Sequence, residues 1–124
     1  MEVKFYLCEK CKNVVELIHF GGGELVCCGQ PMKLLEEQTA DAAGEKHVPI
    51  YKTEGEVTTV TVGSTLHPMV DAHYIMWIAA VTKDGIFRKK LSPNDPPEVT
   101  FDCLSDVVAY YEYCNIHGLW KVEL

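Results

Sequence analysis

The sequence has no apolar run approaching the ~20 residues that cross a bilayer. Its opening, Met1-Glu2-Val3-Lys4-Phe5, lacks the charged-then-apolar layout of an export signal. These two absences lead to the expectation of a soluble, cytoplasmic protein with no membrane partner. Positive charge is also scarce. The chain has 11 Lys and Arg against 18 Asp and Glu, a formal net charge of -7, which argues against general nucleic-acid binding because that needs a basic footprint. There is no internal repeat and no low-complexity tract. What remains is a chain of 124 residues with 48% hydrophobic content, enough for one ordinary domain or a small one plus a tiny metal-stapled one.

The metal-binding side chains sort by type. Cys8, Cys11, Cys27 and Cys28 crowd the first quarter, and His47, His67, His73 and His117 follow it, the last of them three residues beyond Cys114. Cysteines at this density could form disulfides. Without an export signal the thiols are expected to stay reduced. The adjacent Cys27 and Cys28 would also need tight, separate pairings, so metal ligation is the favoured reading. Two ligand sets suggest two sites. An all-thiolate set is closed and suits structure or electron transfer, whereas a mixed imidazole and thiolate set can leave a position open for chemistry.

The chain reads as two units, residues 1–36 and 37–124. In the first, Phe5-Tyr6-Leu7 and Val14 to Ile18 read as strands, Gly21-Gly22-Gly23 as a turn, and Glu24-Leu25-Val26 leads into Cys27-Cys28-Gly29. A segment this short buries little apolar surface, so a metal staple is expected. Gln38 to Lys46 is polar and alanine-rich and reads as a linker. Then come β-type runs at Val57–Val62, Tyr74–Val81, Ile86–Leu91, Glu98–Phe101, Val107–Tyr113 and Leu119–Leu124, separated by turn signals. They predict a mainly β protein with an antiparallel sandwich. Ser105 to Tyr113 is ambiguous and could open as a helical turn.

Cys8-x-x-Cys11 has knuckle spacing, but a zinc ribbon would repeat it where this chain has Cys27-Cys28. Neighbouring side chains diverge, so bringing both sulfurs to one ion should distort the tetrahedron. Four thiolates suit a structural zinc or a one-electron iron equally. In the second set, His67 and His73 share one loop, Cys114 and His117 share the last turn, and His47 enters from the linker, so all can meet at one end of a sandwich. A blue-copper site would want an axial methionine shortly after His117, and none follows. Four imidazoles and one thiolate would make a square pyramid with a vacant sixth position, a geometry better suited to iron than to zinc.

On Cys8-x-x-Cys11, Cys27-Cys28-Gly29-Gln30-Pro31-Met32, Glu45-Lys46-His47-Val48-Pro49, His67-Pro68-Met69-x-x-x-His73 and Cys114-Asn115-x-His117-Gly118-x-Trp120-Lys121, the sequence resembles the desulfoferrodoxin family. These are superoxide reductases with two iron centres, and the resemblance covers nearly the whole chain. It implies a desulforedoxin-like N-terminal domain with iron held by Cys8, Cys11, Cys27 and Cys28. It implies an immunoglobulin-like sandwich with a second iron held equatorially by His47, His67, His73 and His117, and axially by Cys114. His117 would bind through Nδ1 and the other imidazoles through Nε2. The implied activity is one-electron reduction of superoxide to hydrogen peroxide at the second site in its ferrous form, with rubredoxin or a similar donor and a homodimeric assembly.

Two further roles are implied. Glu45 would ligate the oxidised resting state and leave on reduction, and Lys46 would give a negative protein a local positive lip for an anionic substrate. Read without the resemblance, the two are an ordinary solvated charge pair. Cys103 lies outside both sets and reads as a small buried hydrophobe, and His19 as a surface residue near Gly21. Two other functions fit the same residues: an electron carrier whose irons only relay, and a zinc-stapled binding module with an incidental histidine cluster.

Overall fold

The computed structural model describes residues 3–39, 47–63 and 67–124. The chain divides into two compact units, Met1–Glu36 and Glu37–Leu124. No helix among the described residues is long and apolar enough to cross a membrane.

The first unit is built from β1 (Lys4–Leu7), β2 (Val14–Leu17), β3 (Val26–Cys27), β4 (Gln30–Pro31) and β5 (Lys33–Leu34). β1 is the centre of an antiparallel sheet in the order β2-β1-β5, and β3 and β4 form a separate hairpin. The turn between β1 and β2 is pinned by Lys12 N to the Cys8 carbonyl and Cys8 N to the Asn13 carbonyl, both 2.8 Å. The β3–β4 hairpin reverses through Cys28 and Gly29, at φ 54° and 76°. Two left-handed residues in a two-residue loop are the type I′ arrangement, which matches the twist of the flanking strands. Gly29 adopts it without cost, whereas Cys28 is held there despite its Cβ. β4 and β5 carry no β-type run and escape a reading by periodicity.

The second unit is an immunoglobulin-like antiparallel sandwich. Its strands are β6 (Pro49–Glu54), β7 (Val57–Val62), β8 (Ile75–Thr82), β9 (Ile86–Lys90), β10 (Glu98–Asp102), β11 (Val107–Cys114) and β12 (Gly118–Glu123). One sheet runs β10-β7-β6 and the other β12-β11-β8-β9. Alternation places Thr58, Val60 and Val62 of β7, and Val99 and Phe101 of β10, in the interior. They join Ile75, Ile78 and Ala80 of β8 and Tyr110 and Cys114 of β11 in one core. The buried Thr58 hydroxyl is satisfied by Thr53 at 2.8 Å.

A bulge in β8 changes which side chains face that core. Trp77 pairs with Tyr113 and Ile75 with Cys114, so Met76 is an extra residue in the ladder. The insertion reverses the alternation. Ile78 and Ile75 therefore both point inward although they are three residues apart, and Ile75 lies opposite Cys114.

Three features differ from the sequence reading, and one ambiguity is resolved. Gln38 is not linker: it bridges to Trp120, and its backbone bonds Leu119 and Lys121 at 3.0 and 2.9 Å. β6 was hidden because only Pro49 is buried in Pro49–Glu54, so the strand carries no apolar alternation. The ambiguous stretch resolves as the β-type run read there, a strand from Val107 entered through Asp106 at φ 58°. Cys103, expected buried, is exposed. It sits just past β10 at φ 55°, where the left-handed turn carries its side chain out to 3.4 Å from Glu56 Oε2. His19 is exposed, as read.

If the bulged β8 carries the core, truncating it should cost far more than truncating the edge strand. Ile78→Ala, at a fully buried position, is expected to lose about 2–5 kcal/mol in urea unfolding of the full chain. Ile50→Ala, at a position 45% exposed, should lose no more than about 1 kcal/mol.

Candidate metal centres

The four N-terminal cysteines converge. Cys8 and Cys11 come from the turn after β1, and Cys27 and Cys28 from the β3–β4 reversal, and their sulfurs lie within 4.8 Å of one another. Cys11 Sγ is 3.6 Å from Cys27 Sγ, which is 3.9 Å from Cys28 Sγ. A disulfide would need about 2.05 Å. A tetrahedral ion with metal–sulfur bonds of about 2.3 Å sets sulfurs about 3.8 Å apart, so the spacing fits a single ion. The left-handed Cys28 resolves the difficulty of adjacent ligands, because its backbone turns the second sulfur back beside the first. The longer of the two separations falls on this pair.

Electrostatics agree with the geometry. The Cys11 N–H, 3.5 Å from Cys8 Sγ, leads the causes that lower the Cys8 thiol to about 6. Hydrogen bonding among the sulfurs, with Cys11 first, pushes Cys28 up to about 12 and raises Cys27. Four thiolates so close resist ionising together unless a cation sits among them.

The second group comes from three places in the sandwich unit. His47 precedes β6, His67 and His73 lie in the segment before β8, and Cys114 and His117 flank the β11–β12 turn. Their ligand atoms also lie within 4.8 Å of one another. The imidazoles close a ring. His47 to His67, His67 to His73, His73 to His117 and His117 to His47 are 4.9, 4.6, 4.9 and 4.6 Å between centroids. His47 Nε2 is 2.9 Å from His117 Nδ1. Metal–nitrogen bonds of about 2.1 Å put neighbouring nitrogens about 3.0 Å apart at right angles and about 3.4 Å apart in a tetrahedron. The His47–His117 separation is that of neighbours at right angles rather than in a tetrahedron, with the Cys114 sulfur 3.9 Å from His117 Nδ1.

Several members are held by neighbours outside the group. His67 Nδ1 lies 2.7 Å from the Pro68 carbonyl and so carries the proton. This leaves Nε2, buried and without a hydrogen-bond partner among the described residues, as a lone pair facing the group. Burial lowers the His67 pKa to about 4, so the ring is neutral near pH 7, the form that ligates. Burial also raises the Cys114 thiol, with the Glu112 charge acting the same way, while the N–H groups of His117 and Ile116 favour its thiolate.

The His117 carbonyl accepts from Gln38 Nε2 at 2.8 Å and from Trp120 Nε1 at 3.1 Å. Trp120 in turn stacks on His47 at 4.7 Å and 15°. Gly118, at φ 87°, completes the turn, and a Cβ there would meet Gln38 Nε2 at 3.3 Å. Gln38 and Trp120 were not singled out as supports. Only the need of a buried indole N–H for an acceptor hinted at the second. Glu45 and Lys46 lie outside the described residues.

The two groups fit two mononuclear iron sites, one held by four thiolates and the other by four imidazoles and a thiolate. The family model described as "Desulfoferrodoxin" matches residues 39–123, and "Desulfoferrodoxin, N-terminal domain" matches residues 1–35. A desulfoferrodoxin homolog of Archaeoglobus fulgidus is 50% identical over 119 residues, 96% of this chain and 95% of that protein. The desulfoferrodoxin of Syntrophotalea carbinolica is 48% identical over 122 residues, 98% and 97% of the two chains. Among solved structures, the superoxide reductase from Treponema pallidum superposes with a TM-score of 0.82 at 33% identity, covering 98% of each chain.

The low His67 pKa gives a signed expectation for the metal-free chain. An unfolded His67 takes its proton near pH 6.5, whereas the folded one takes it only near 4. The stability tied to this difference is complete above 6.5 and is lost as pH falls through 4. The loss is on the order of 2–4 kcal/mol. Urea unfolding at stepped pH should show it, and His67→Gln should flatten the profile over that window.

Proposed function

Because the chain belongs to the desulfoferrodoxin family, we propose that it is a superoxide reductase, reducing superoxide by one electron to hydrogen peroxide without releasing dioxygen. The observation that carries this reading is the ring of four imidazoles beside the buried Cys114 thiol. In this reading residues 1–36 are the four-cysteine iron domain and residues 37–124 the reductase domain. Cys8, Cys11, Cys27 and Cys28 hold the first iron, and His47, His67, His73, His117 and Cys114 the second. A ferrous ion held by the second set would supply the electron that, with two protons, converts superoxide to hydrogen peroxide.

The chain's own residues do the rest. Cys114 is fully buried whereas His117 is exposed, so solvent and a small anion approach on the imidazole side, away from the sulfur. Backbone N–H groups of Ile116 and His117 hold the thiolate and temper its electron donation. Water at the exposed edge can deliver protons. The chain is negative overall, so the attraction of an anion must be local, and Lys46 beside His47 provides it. Glu45 would ligate the oxidised iron and leave it on reduction, a role that rests on the family resemblance. A rubredoxin-type donor, a homodimeric assembly and a cytoplasmic setting complete the reading, each supported by the family resemblance alone.

Pulse-generated superoxide tests the activity: the reduced, iron-loaded chain should consume it rapidly with hydrogen peroxide as product, and dioxygen release would contradict the reading. Cys114→Ser should abolish this consumption while iron still loads the four-cysteine site, and retained activity would refute the thiolate's part. Lys46→Ala should slow the reaction several-fold at low ionic strength and converge on the unmodified rate once the screening length falls below about 10 Å. The same dependence on salt in both proteins would remove Lys46 from its role.

A further inference from the structure

The turn that carries Cys114 and His117 also carries a side chain that neither ligates nor packs in the core. Asn115 sits astride the backbone of His73. Its Oδ1 accepts from Tyr74 N at 3.0 Å, and its Nδ2 donates to the Ala72 carbonyl at 3.1 Å. Its own backbone N–H donates to the Tyr74 carbonyl at 3.2 Å. Only one orientation of the amide serves both partners, since Tyr74 offers a donor and Ala72 an acceptor. On the other side of the loop, His73 and Val70 exchange two backbone bonds of 3.0 Å each. The backbone on both sides of His73 is therefore tied, and half of the tether belongs to the residue that follows the thiol ligand.

This arrangement fixes one quantity, the placement of the His73 ring relative to the Cys114 sulfur. The strand ladder reaches only as far as Ile75 opposite Cys114, and the Asn115 side chain carries the tie onward to the backbone on both sides of His73. Asn115 is exposed, so water can replace its bonds, and its worth to global stability is small. Its worth to the metal centre is different in kind. Zinc is content with four ligands, while a square of nitrogens with an axial sulfur demands that all five be held. A group whose fifth member is loose can relax to four.

We propose that Asn115 is a positioning residue that keeps His73 in the ligand group and so makes the centre discriminate in favour of iron over zinc. The proposal rests on the reading of the histidine and cysteine group as an iron site and adds to it the residue that enforces the fifth ligand. The pair of bonds to Tyr74 and Ala72 is its basis. Aspartate would keep the acceptor for Tyr74 N but turn a second oxygen toward the Ala72 carbonyl. Alanine would remove both bonds.

The test uses the full, iron-loaded, oxidised chain and follows the absorption that runs from the Cys114 thiolate to iron while zinc is added. In Asn115→Ala, the zinc concentration that halves this band should fall about ten-fold or more, the size typical of losing a partner that orients a ligand. The absorption of the four-cysteine iron should not change, and the melting midpoint of the metal-free variant should stay within about 3 °C of the unmodified chain. Unchanged resistance to zinc would overturn the proposal. So would a loss of resistance matched by a large fall in the midpoint, because that is general loosening. If the alanine variant does not fold, Asn115→Asp gives the same reading, with a smaller loss of resistance expected and no loss overturning it. Absence of the thiolate band in the unmodified chain would instead overturn the iron site itself, and the inference with it.

Discussion

Cys114 is fully buried inside a β-sandwich, in the same core as Val60, Ile78 and Tyr110. Burial there disfavours its thiolate. A thiol in such a place is either an inert hydrophobe or one pole of an ion-binding group. The surroundings decide between these. Two backbone N–H groups turn toward the sulfur, and a ring of imidazoles stands beside it. Only a cation compensates the charge and uses the lone pairs together. The rest of the sandwich unit can be understood as what is required to hold those groups around one point.

That requirement is met by rigid strands and tied loops in combination. The bulge at Met76 sets Ile75 opposite Cys114, and so the end of β8 in register with the turn that carries Cys114 and His117. Trp120 and Gln38 hold the His117 carbonyl from two directions. Pro68 fixes the tautomer of His67 through a backbone carbonyl. In the small unit the same logic appears in a shorter form. A left-handed cysteine and the glycine after it reverse the chain within two residues and bring neighbouring sulfurs to one side.

Much of this was legible in the sequence, and for physical reasons. The β-branched alternation of Val57–Val62 announces a half-buried strand, and the sheets bear it out. The nine cysteines and histidines stood out because few other side chains bind a soft or borderline metal, and the fold brings them together in the two sets the spacing suggested. What stayed hidden was support and irregularity. Gln38 reaches His117 across 79 residues, a contact that no periodicity records. Pro49–Glu54 buries only its first residue and shows no apolar face. The bulge is invisible because Met76 looks like any other apolar residue in an apolar run. Cys103 was misread because cysteine is usually buried, whereas here a left-handed turn outweighs that preference.

The most direct measurement is diffraction at the iron absorption edge from reduced crystals of the iron-loaded chain. Two anomalous peaks per chain are expected, one among the four N-terminal sulfurs and one bonded at once to the sulfur of Cys114 and to nitrogens of His47, His67, His73 and His117. A single peak, or a second one that leaves Cys114 or any of the four rings out of bonding distance, would contradict the account.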